Sequence, residues 1–136
     1  MSAALAPALA GVRLSLHVLA AAIWVGGQIT LAGLVPTARD LGPTAPRALA
    51  RAFARVQWPA YALLVATGVW NVSAVHAGQP TAWQTVVSAK IAVVAVAGVA
   101  AWRHTRSATT PAIAAWGALT ALSSLAALVM GVFLAG

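Results

Sequence analysis

The 25 residues between Arg13 and Arg39 contain no Asp, Glu, Lys or Arg, and about 20 apolar residues are enough for an α-helix to cross the hydrocarbon core of a bilayer. Three further stretches of the same kind follow. The sequence therefore predicts helices over roughly residues 8–36, 47–75, 82–103 and 111–134, spans of membrane-crossing length. The expected fold is all-α: an integral membrane four-helix antiparallel transmembrane bundle forming a single domain over residues 1–136. Composition agrees, since 62% apolar and 7% charged residues lie far outside the usage of soluble domains.

The connections are legible from their breakers. Residues 36–46, PTARDLGPTAP, hold three prolines, a glycine and the only acid of the chain, Asp40, so they stop one helix near Pro36 and turn toward the next. Pro59 lies inside the second helix, where a missing N–H should kink it or mark its entry into lipid. An uncharged turn, HAGQPTA, leads to the third helix, and RHTRSATT to the fourth, which Thr110 and Pro111 open as N-cap and first helical residue. Arg39, Arg47, Arg51 and Arg55 flank the first connection and Arg103 and Arg106 the third, while the second has no basic residue but His76. By the positive-inside rule both termini lie outside. Trp70, Trp83, Trp58 and Trp102 fall near helix ends, as interfacial belts require, whereas Trp24 and Trp116 lie deeper and read as packing.

The formal charge of +7 comes from basic residues at the ends of apolar segments. They form no continuous patch interleaved with aromatics, so nucleic-acid binding is not expected. With no cysteine there is no disulfide framework, thiolate site or cysteine nucleophile. Residues 1–12 lack the basic start of a signal peptide, and no small-residue cleavage site is evident after them, so the first helix is expected to be retained. No carboxylate lies in any predicted span, and no nucleophile elbow or phosphate-cradling glycine loop occurs. Hydrolytic and phosphoryl-transfer chemistry have nothing to run on.

What remains is a polar stripe in the first helix. At about 100° per residue, Arg13, Trp24 and Gln28 project within roughly 40° of His17. Such a stripe in lipid must face protein, water or a cofactor. Lys90 is the only charge between Arg55 and Arg103, and a lysine deep in a span costs about 2.5–3.5 kcal/mol on insertion scales. His17 and Lys90 come out level in the outer half of the membrane, Lys90 lying about 10 Å in from Trp83. His76 and Met130 fall toward the same side, so each helix offers one donor. His104, beside Arg103 and Arg106, reads as a solvated interfacial histidine of the inner side.

Residues 16–27, LHVLAAAIWVGG, the RAFARV…TGVWN run at 51–71 and WQTVVSAK at 83–90 resemble the copper-resistance D family of small bacterial membrane proteins, over nearly the whole chain. The His of helix 1 with Trp seven residues later, the Pro of helix 2 and the Trp-to-Lys segment of helix 3 are also similar to the HemJ-type protoporphyrinogen oxidases. The first resemblance implies a multi-pass protein of the bacterial cytoplasmic membrane acting in copper uptake or tolerance, beside a periplasmic copper carrier. The second implies haem b with His17 as axial ligand, Lys90 as a required catalytic partner and a redox partner.

Donor chemistry leans toward haem. Cu(I) favours thiolates and thioethers, and the chain has no cysteine and only Met1 and Met130. Arg13 and Lys90 would repel a bare cation but suit the propionates of a porphyrin. In this reading His17 is the metal ligand, Met130, His76 or Lys90 the second, Arg13 a propionate partner, and Trp24 packs on the ring. Copper binding is the alternative, a cofactor-free structural or assembly subunit a third, and homo-oligomerisation is left open.

Overall fold

The computed structural model describes residues 7–136. Among these residues the chain is helical, with short turns and no strand. Helix α1 spans Ala8–Asp40, α2 Ala45–Val75, α3 Thr81–Arg106 and α4 Thr110–Ala135. Three of them, α1, α3 and α4, are long and apolar enough to cross a membrane, which marks the chain as an all-helical membrane protein. Their outward side chains fit that solvent: Val18, Ile29, Leu122, Val132 and Phe133 are all exposed. α2 is 31 residues long but less apolar, with Arg47, Arg51 and Arg55 in its first turns and Gln57, Thr67 and Asn71 further on.

Two helix boundaries differ from the sequence expectation for identifiable reasons. α1 continues through Pro36 to Asp40 and stops where Leu41 N–H bonds Thr37 and Ala38 carbonyls, Gly42 N–H bonds the Arg39 carbonyl, and Gly42 takes φ 137°. The glycine, not the proline, ends the helix, because a positive φ is open to Gly and closed to most other residues. The cap of α4 is Thr109, one residue before the expected Thr110; its hydroxyl accepts from Ala112 N–H at 3.4 Å. Pro111 then sits in the first turn, where its missing N–H costs nothing.

α1 is not a uniform α-helix. Residues Ala22–Gly26 form a π-helical turn, which carries more residues than the 3.6 of an α turn and so rotates the C-terminal half of α1 relative to its N-terminal half. Gln28 Nε2 donates to the Trp24 carbonyl at 3.0 Å and Thr30 Oγ1 to the Gly26 carbonyl at 2.8 Å, adding bonds beside the widened turn.

Contacts divide the chain into two helical pairs, one ending at Ala77 and the other beginning at Gly78. In the first, α1 and α2 are antiparallel: Arg13 meets Asn71, His17 meets Thr67, and Gly27 lies against Phe53. In the second, α3 and α4 are antiparallel, with Lys90 beside Gly131 and His104 beside Gly117.

Candidate functional site

The first pair places Arg13 and His17 against a matching polar face of α2. His17 Nδ1 lies 2.8 Å from Thr67 Oγ1, and the same hydroxyl donates to the Leu63 carbonyl at 2.7 Å. That second bond fixes the first. A carbonyl has no proton to offer and a hydroxyl has only one, so Thr67 must accept from His17 Nδ1–H. In the neutral ring the lone pair then sits on Nε2. This is how a ligating histidine is held, its other nitrogen donating to a neighbouring oxygen that sets tautomer and ring orientation. Gly68 lies beside the ring, and a Cβ there would stand 3.4 Å from His17 Cε1, in ordinary van der Waals contact.

One turn earlier, Arg13 Nε donates to Asn71 Oδ1 at 2.6 Å. The guanidinium is thereby held by one donor, with its Nη groups available for an anion. Thr67 is buried; Asn71, Arg13 and His17 are half-buried. Sequence reasoning missed Thr67 and Asn71. A signal existed: Arg13 and His17 are four apart on α1, and Thr67 and Asn71 are four apart on α2. Two equal polar spacings on antiparallel neighbours bring both pairs into register at once.

Trp24 and Gln28 do not join this group. Trp24, 2% exposed, packs against Tyr61 at 4.6 Å between ring centroids and Trp58 at 6.0 Å, and those two rings meet at 5.9 Å. It belongs to an aromatic cluster about 10 Å along α1 from His17. Trp58, expected in an interfacial belt, is a member of that cluster. His76 is exposed just past the end of α2, where its backbone N–H bonds the Val72 carbonyl.

In the second pair, Lys90 is half-buried and its ammonium rests on α4 at Gly131, where a Cβ would stand 2.9 Å from Nζ. Met130, also half-buried, is the preceding residue. At the other end of this pair His104 Nδ1 donates to the Ile113 carbonyl at 2.8 Å and its ring lies against Gly117. His104 thus bridges α3 and α4, a role that its reading as a merely solvated histidine did not include. Arg103 stacks over Trp116 at 5.3 Å and Arg106 over Trp102 at 5.2 Å.

Among the described residues no three of His, Cys, Asp or Glu gather into a metal-binding group. No protein-family model, curated protein or solved structure matches the chain.

Proposed function

We propose that this is a small multi-pass membrane protein of the copper-resistance D/HemJ type that holds haem b through His17. The observation carrying the reading is the hydroxyl chain from His17 through Thr67 to the Leu63 carbonyl, which puts the imidazole lone pair on Nε2. Haem also suits the donor set better than copper does. A porphyrin brings four of its own nitrogens and asks the protein for one or two axial donors, whereas a copper site needs several protein ligands gathered together. His17 would supply an axial donor, Thr67 orients it, and Arg13, held by Asn71, offers its remaining N–H groups to a propionate. Bound there, haem b would supply one-electron chemistry. Lys90 is the candidate proton-handling group of the second pair, and His76, just past the end of α2, is a candidate second ligand.

In the same proposal α2 is the fourth span. Thr67 is bonded to α1 and to its own turn and Asn71 Oδ1 accepts from Arg13, which lowers their cost in lipid. The arginines at the α1–α2 and α3–α4 connections put those turns in the cytoplasm and both termini outside a bacterial cytoplasmic membrane. A cysteine at Ala77 should react with an impermeant reagent from the outside; labelling only from the cytoplasmic side reverses the topology.

The visible spectrum of the detergent-purified protein, with elemental analysis, tests the cofactor. A Soret band that disappears in His17→Ala and survives but washes out faster in Arg13→Ala is the expected result. Copper at about one ion per chain without porphyrin, with retention rising in Lys90→Met because a thioether replaces a cation, favours copper. Neither metal would make the stripe interhelical bonding in a structural subunit.

A further inference from the structure

The first turns of α2 carry Arg47, Arg51 and Arg55 at a spacing of four, which sets them along one face, each about 6 Å beyond the last. No hydrogen bond or ion pair to another described residue occupies these guanidinium groups. Ala48 and Ala52 stand between them, and with Arg51 and Arg55 they line a shallow groove of about 360 Å³. Arg39 closes α1 at the same end of the pair, so four arginines face a single acid, Asp40. Beyond Arg55 the helix turns apolar, beginning with exposed Val56.

We propose that this groove binds the headgroup phosphate of an anionic glycerophospholipid. Two guanidiniums one turn apart can clamp a phosphodiester with paired N–H···O bonds, a geometry lysine does not offer. The alanines leave the depth such a group needs, and the exposed apolar surface past Arg55 is continuous with where an acyl chain would run. A soluble phosphate would gain nothing from that surface, which is why the lipid is the favoured occupant. The inference rests on α2 entering the bilayer at this end and is independent of any haem at His17.

Native mass spectrometry of the full-length protein in detergent, titrated with phosphatidylglycerol or phosphatidylcholine, tests it. Phosphatidylglycerol adducts should appear at about tenfold lower concentration than phosphatidylcholine adducts, and Arg51→Ala with Arg55→Ala should erase the preference. Arg103→Ala with Arg106→Ala, which alters arginines stacked on indoles, should keep it. Ala48→Leu fills the groove without changing charge and should weaken the adduct about threefold or more, giving a second variant if the arginine pair fails to fold. Equal binding of the two lipids, loss of preference in the Arg103/Arg106 variant as well, or displacement of the lipid by millimolar inorganic phosphate would each overturn the proposal.

Discussion

The two helical pairs solve the same packing problem with opposite materials. Between α1 and α2 the contacts are large or polar: Trp24 among Trp58 and Tyr61, Phe53 over Gly27, Arg13 to Asn71, His17 to Thr67. The second pair buries Ala97, Gly98, Ala100, Ala101 and Ala127, and two of its buried hydroxyls bond their own helix, Thr120 to the Trp116 carbonyl and Ser123 to those of Leu119 and Thr120. In lipid there is little hydrophobic drive for helices to associate, so they hold together by close backbone approach or by hydrogen bonds across the interface. The second pair relies chiefly on the first device and adds a cross-helix bond at one end, His104 Nδ1 to the Ile113 carbonyl. The first pair sets its cross-helix bonds among the polar side chains of the candidate site.

Steric substitutions should give the largest effects. A Cβ at Gly27 would overlap the Phe53 ring, whereas one at Gly26 meets nothing within 4 Å. Gly27→Leu should therefore lower unfolding free energy in detergent by about 3 kcal/mol or more, the top of the usual range for overpacking, and Gly26→Leu by far less. Ala100, 0% exposed, should respond like Gly27 when changed to Leu. Equal tolerance at Gly26 and Gly27 would show that Phe53 moves aside at little cost, and the contrast within α1 would collapse.

The sequence made the helices legible because membrane spans are written in length and charge, and neither depends on tertiary context. His17, Arg13 and Lys90 stand out for the same reason. Their partners do not. Thr67 and Asn71 are ordinary residues whose importance comes from lying opposite Arg13 and His17. A projection down the helix axis discards depth, so it groups with His17 a Trp24 that faces the same helix about 10 Å further along α1, and the π-helical turn at Ala22–Gly26 is invisible to it as well. Gly42 outranks Pro36 as a stop because a proline inside an apolar helix bends it, while a left-handed residue reverses the chain.

Charge gives the next largest contrast. Asn71→Leu takes the acceptor from Arg13 and should cost about 1.5–3 kcal/mol, the value of a hydrogen bond to a charged group, discounted where water or lipid phosphate reaches the guanidinium. Arg13→Ala in that background should add little, which a double-mutant cycle reads as coupling. Lys90→Met is the counterpart in the second pair, where the ammonium rests on Gly131 and no carboxylate occurs in α3 or α4. Removing that charge should leave stability unchanged or raise it. A Lys90→Met loss as large as that of Asn71→Leu would mean that the second pair depends on the Lys90 ammonium as the first depends on Arg13 and Asn71.

The smallest and most specific contrast is between two hydroxyls. Thr67→Val removes a bond between helices, worth about 0.6 kcal/mol on average and up to about 1.7 in membrane proteins. Ser123→Ala removes bonds to carbonyls of its own helix and should change stability by less than that. Stability alone separates these values poorly, so the decisive readout is the imidazole itself. In the wild type ¹⁵N spectra should show His17 protonated at Nδ1, because Thr67 spends its only proton on the Leu63 carbonyl. Valine offers no acceptor, so the Nε2–H tautomer should gain population in Thr67→Val and remain minor in Ser123→Ala. A tautomer that ignores Thr67 would remove the reason for assigning His17 its ligating nitrogen, whatever the stability measurements say.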